Sequence, residues 1–221
     1  MPVSGSGYEP GVARTAGTAE PFVPDRPSLS NLRRAVQDCR GCELYRDATR
    51  AVFGEGRRRA RVMLVGEVPG DREDIEGRPF VGPAGRELDR GLDAAGIDRE
   101  DAYVTNAVKH FRFERRGKRR IHRKPTLGQM SACRPWLDAE IAVVRPEVVV
   151  CLGATATRAV AGPGVTVSRN RGTFVETDLE PLVTITVHPS AILRSPDEAS
   201  RRAEREAFER DLSLVARAIR A

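Results

Sequence analysis

The sequence predicts an α/β fold, a three-layer α/β/α sandwich with a central, mainly parallel four-stranded sheet. Three observations carry that reading. Four short apolar runs have the length and uniform hydrophobicity of strands buried on both faces. Helical patterns separate them, and such alternation builds a parallel sheet covered by helices on both sides. Turns bearing Gly, Asn or His directly follow the runs, where an open parallel sheet places its ligand crevice.

Taken in order, residues 1–27 are rich in Gly, Pro, Ser, Thr and Ala without apolar periodicity, and read as a disordered leader. One folded domain is expected over 28–221. A first helix over 28–38 runs into Cys39-Arg40-Gly41-Cys42. Strands are expected at 61–65, 102–105, Val148–Leu152 and 182–187. Helices are expected at 84–95 before Gly96, at Leu127–Val144 before Pro146, at Ala154–Ala161 before Gly162, and at 197–219.

The chain carries 37 basic and 31 acidic residues, a net charge of +6. Seven of the cations lie in RRGKRRIHRK at 115–124, and without them the balance would be −1. The basicity is therefore local, and it surrounds one histidine, His122. Positive neighbours discourage a second proton, so this imidazole is expected to stay neutral beside an anion site, as a nucleophile or base. The alternative is a solvated charge run with an incidental histidine. No apolar stretch approaches the ~20 residues that span a bilayer, and the N-terminus lacks the order of a secretory signal. A cytoplasmic, monomeric protein without membrane contact is the expectation.

The strand-end segments hold the candidate chemistry. Glu67 sits in the turn Gly66–Gly70, stiffened by Pro69, as a held carboxylate or an ordinary turn residue. Phe80 lies in a Gly- and Pro-rich loop before a helix, to stack on a planar ring or to anchor the loop. Asn106 ends the second strand, able to read a nucleobase edge or to form an Asx turn. His188, before Pro189 and Ser190, either donates to a departing anion or begins a turn. Cys39, Cys42, His110 and Cys133 form a candidate metal set, suited to zinc or to an iron–sulfur cluster. Cys151, within VVVCLG, reads as a buried structural thiol and a fallback ligand.

Taken together, GEVPGD at 66–71, GRPFVGPAG at 77–85, VTNAVKHF at 104–111, KRRIH at 118–122, LGATA at 152–156 and HPSAILR at 188–194 resemble the uracil-DNA glycosylase superfamily. The similarity is greatest to the iron–sulfur glycosylases of family four and, among those, to the X-type enzymes that become covalently joined to DNA. The resemblance implies that Phe80 stacks on a flipped uracil, that Asn106 reads its edge and that His188 stabilises the uracil anion. Extrahelical binding is required because a stacked duplex blocks the reacting atoms. Glu67 would orient the attacking group, and His122 would attack C1′ in place of water. Val68, Asp71 and Arg194 would complete the substrate pocket, and Lys118, Arg119 and Arg120 would hold DNA phosphates.

The resemblance also implies a [4Fe-4S] cluster, a uracil-containing DNA partner (single-stranded first, duplex second) and a place at the nucleoid. Two departures matter. His110 stands where family four has a cysteine, and Val68 where the X-type enzymes have glutamine. Valine cannot hydrogen-bond to the histidine loop, so any role of that glutamine is lost or taken over elsewhere, and slower covalent trapping is expected. A conventional family-four enzyme using water, or a non-catalytic nucleic-acid-binding protein with a structural metal, are the competing readings.

Overall fold

The structure, a computed structural model, describes residues 17–220. Residues 1–16 and 221, with that part of the expected leader, lie outside the described residues. From Gly17 onward the leader expectation is corrected. Ala19 is buried and its N–H donates to the Ala132 carbonyl at 2.8 Å. Phe22 and Val23 pack on the same apolar cluster, so this stretch buries enough surface to be held.

The central sheet has five strands in the order β2-β1-β5-β7-β6. They are β1 (Val62–Gly66), β2 (Ala102–Asn106), β5 (Val148–Leu152), β6 (Phe174–Val175) and β7 (Leu182–Thr186). All neighbours are parallel except β6, which runs antiparallel to β7. The expected count of four therefore becomes five. Two residues are too few to show periodicity, and β6 exists because β7 offers an edge to pair with. β3 (Phe113–Arg116) and β4 (Arg119–His122) form a separate antiparallel hairpin where a loop was expected.

The helices are α1 (Leu29–Ala35), α2 (Asp71–Glu76), α3 (Pro83–Ala95), α4 (Leu127–Val144), α5 (Ala154–Ala161), α6 (Val167–Asn170), α7 (Ser190–Leu193) and α8 (Glu198–Arg220). Capping boxes start α1 at Ser28 and α4 at Thr126, each answering orphan N–H groups. Phe208, Leu212, Val215, Ala216 and Ile219 recur at helical spacing on α8 and pack with Leu88 and Leu92 of α3 on one face of the sheet. Leu137, Ile141 and Val144 of α4, with Ala156 and Val160 of α5, cover the other face. A third cluster, with Leu32, Phe53 and Trp136, joins the N-terminal segment to α4. No helix among the described residues is long and apolar enough to cross a membrane.

Strand order reverses between β1 and β5, because the chain moves outward to β2 on one side and to β7 on the other. At such a switch point the loops leaving the strands part and open a crevice.

Candidate active site

The crevice is a cleft of about 760 Å³, lined among others by Glu67, Phe80, Asn106, His122, His188 and Arg194. Each strand end contributes. Glu67 follows β1, Asn106 closes β2, Gly153 follows β5 and His188 follows β7. Past the strands the backbone stays stitched, with Ala107 and Val108 donating to the carbonyls of Gly66 and Glu67 at 3.0 and 3.1 Å. The Glu67 carboxylate is thus carried by a fixed backbone. Its Oε1 is buried and has no hydrogen-bond partner, which is costly unless a bound group supplies one.

Phe80 is held in the left-handed region at φ 57°, a strained conformation for an aromatic residue. Its loop is fastened by Glu73, whose Oε1 accepts the Gly82 N–H at 3.0 Å. The ring stacks with the His188 imidazole, centroids 5.9 Å apart. Gly66 makes this closeness possible. A Cβ there would lie 2.3 Å from Asn106 Oδ1 and 2.8 Å from Phe80 Cζ. The backbone carbonyl of Asn106 accepts from Lys109 Nζ at 2.7 Å. That ammonium is fully buried and paired with Glu140, which also accepts from Tyr103 and Thr105.

His188 Nδ1 lies 2.7 Å from Ser190 Oγ and accepts the Ser190 N–H at 3.2 Å. Arg194 donates to the same hydroxyl at 2.8 Å, which turns the hydroxyl proton toward Nδ1. With Nδ1 accepting, the ring proton belongs on Nε2. Burial, followed by the positive charge of Arg194 and by His122, pushes the His188 pKa down to about 4. The ring is a neutral imidazole with one N–H to give.

His122, the last residue of β4, is also held below the usual histidine range. The direction is as its basic surroundings imply, but the cause differs. Loss of water on the cleft wall comes first, Glu67 opposes it, and Arg194, from outside the basic loop, lowers it further. Glu67 and His122 are therefore electrostatic neighbours across the cleft.

Two expected roles are corrected. Arg120 is not free for phosphate, because its guanidinium is paired with Asp71 and Asp74, each at 2.6 Å. Asp71 does not line the cleft, since it starts α2 and faces the hairpin. Lys118 and Arg119 do stand exposed at the hairpin turn, beside Gly117 at φ 58°. Val68 lines the cleft and is buried in the third apolar cluster. Glu73, Lys124 and Ser190 also line the cleft; Lys124 closes RRGKRRIHRK and Ser190 lies in HPSAILR, whereas Glu73 lay in no quoted motif.

Cys39, Cys42 and Cys133 share the third cluster, and burial pushes the Cys133 thiol up to about 12. Trp136 Nε1–H donates to Cys39 Sγ at 3.2 Å, and the Lys109 N–H to Cys133 Sγ at 3.3 Å. His110, beside Lys109, is buried, and burial holds its imidazole neutral, with a pKa of about 4. Among the described residues no group of three or more His, Cys, Asp or Glu is placed to hold a metal ion. Two thiols that accept N–H donors, a third in the same cluster and a neutral imidazole are donors of the kind that iron–sulfur groups take. Cys151 belongs to the separate cluster under α4 and α5, its thiol pushed up to about 12 by burial, and is no fallback ligand.

Residues 53–213 match the profile of the uracil DNA glycosylase superfamily. The chain is 38% identical over 181 residues to a type-4 uracil-DNA glycosylase of Thermotoga maritima, covering 81% of this chain and 91% of that protein. It is 33% identical over 195 residues to the type-4 enzyme of Archaeoglobus fulgidus, covering 85% and 92%. A type-5 uracil-DNA glycosylase of Pyrobaculum aerophilum matches at 34% over 152 residues, 61% of this chain and 62% of that protein. The cleft at the strand ends and these similarities lead to one conclusion: the chain belongs to the uracil-DNA glycosylase superfamily.

Proposed function

We propose that this protein excises uracil from DNA and that His122 then becomes bonded to C1′ of the abasic deoxyribose. The observation that carries the proposal is the presence of His122 and Glu67 in one cleft with Phe80, Asn106 and His188. Phe80 stacks on the flipped uracil and Asn106 reads its edge. As the C1′–N1 bond breaks, its electron pair leaves on uracil, and the Nε2–H of His188 stabilises that anion. The neutral imidazole of His122 gives a lone pair to C1′, and the second ring proton is lost toward Glu67. The unpartnered Glu67 oxygen is the acceptor this step needs. A non-catalytic reading leaves that oxygen and the polarised His188 without a task.

Cys39, Cys42, Cys133 and His110 would hold the [4Fe-4S] cluster, which when bound cross-links three segments of the chain and supplies redox-active iron. The partner is uracil-containing DNA, single-stranded first, at the nucleoid of the cytoplasm. A denaturing gel of protein mixed with single-stranded uracil DNA tests the covalent step. A heat-stable shifted band is expected, absent in His122→Ala. Free abasic product without a band would instead assign attack to water.

A further inference from the structure

We infer that Arg120 is a positioning residue that sets His122 in the cleft by docking the hairpin onto α2, an inference resting on the reading of His122 as the attacking group. Arg120 and His122 are two residues apart on β4, so their side chains share a face of the hairpin. What Arg120 grips therefore decides which way His122 faces.

The grip is extensive. Arg120 Nε reaches Asp71 Oδ1 and Nη1 reaches Asp74 Oδ2, both at 2.6 Å, while Nη1 also lies 3.3 Å from Thr49 Oγ1. Asp74 is fully buried and accepts the Thr49 N–H as well, so its carboxylate is held by a contact independent of the hairpin. The guanidinium also lies over the rings of Phe111 and Phe113, at 5.4 and 5.2 Å. Phe113 is the cross-strand partner of His122, and Phe111 lies 6.1 Å from its imidazole. One planar fork thus joins α2, the aromatic pair and the strand that carries His122. The contrast with Lys118 and Arg119 is direct. Those side chains face solvent, whereas that of Arg120 is 15% exposed. This clamp stands where Val68 offers the histidine loop no hydrogen bond.

The test uses the full chain with Arg120→Lys, which keeps the charge but not the fork, and Asp74→Asn, which leaves every hairpin cation in place. Single-turnover uracil release, the rate of the heat-stable adduct, salt dependence of DNA binding, and amide exchange over 113–122 are measured. In both variants adduct formation is expected to slow by about tenfold or more, because displacement of a reacting group is costly. Uracil release and the salt slope stay as in the parent, and exchange over 113–122 quickens.

Adduct formation at the parental rate in either variant overturns the inference. So does a salt slope reduced by about one in Arg120→Ala, the mark of a lost phosphate contact. If the parent protein releases uracil but forms no adduct, the nucleophile reading fails alone. Exchange over 113–122 in Asp74→Asn then still decides whether Arg120 docks the hairpin, and unchanged exchange overturns it.

Discussion

The strand-end pocket and the β3–β4 hairpin are built on opposite plans. Glu67, Asn106 and His188 leave a sheet whose β1, β2 and β5 strands are buried at every position. Their places are over-determined by core packing, backbone bonds past the strands, and the Arg194–Ser190–His188 chain. His122 stands instead on a two-stranded ribbon that is mostly exposed, of a kind with little stability of its own. In the proposed mechanism base recognition would be fixed by the fold, while the attacking group would be delivered by an appendage with one main fastening. In such an arrangement recognition and bond formation can be damaged separately.

The largest expected effect is on the rigid side. His188→Ala removes the one N–H aimed at the departing anion and should slow uracil release by about 10²–10³-fold, the usual loss for a single preorganised donor. Binding of uracil-containing DNA, measured separately, should change little. A release rate within a few-fold of the parent would move the anion-stabilising role away from this pocket.

A smaller effect, again on the rigid side, comes from acid. The folded His188 has a pKa of about 4 against an ordinary 6.5, so the unfolded chain takes up a proton that the folded chain refuses. Stability should therefore fall as pH drops through this window and be flat above it, by this group's contribution. Denaturant unfolding of the parent and of His188→Gln at pH 7 and pH 4.5 checks this, and the variant should lose less. Equal losses in the two proteins would exclude His188 as the source.

The smallest effect belongs to the hairpin tip. Lys118→Ala and Arg119→Ala should each weaken DNA binding uniformly across sequences and lower the salt slope by about one. Uracil release at saturating DNA should stay unchanged. A change in release without a change in slope would place these side chains against the base pocket rather than on the backbone.

The rigid region was legible in the sequence because its determinants are local in character. Uninterrupted apolar runs such as VVVCL can be little else than strands buried on both faces, and residues just beyond such strands must converge. The hairpin was not legible for the opposite reason. FERR and RRIH show no alternation of apolar and polar residues, and their pairing rests on contacts with Phe111, Asp71 and Asp74 from other segments. Arg120 accordingly looked like one more phosphate contact. Nothing within KRRIH separates it from Arg119; the carboxylates of α2 and the rings of Phe111 and Phe113 do so. Residues 17–27 escaped in the same way, since the groove that Ala19 fills belongs to distant parts of the chain.

The order in which the strands leave the ribosome gives the switch point a temporal meaning. Glu67 and His122 precede β7 in the chain, so a nascent chain already holds the carboxylate and the proposed attacking imidazole while the proposed donor for the leaving base is still unmade. His188 reaches the cleft only when β7 pairs with β5. In the proposed mechanism the attacking group is thus paired with a partner that arrives late. The complete cleft is reserved for the finished fold.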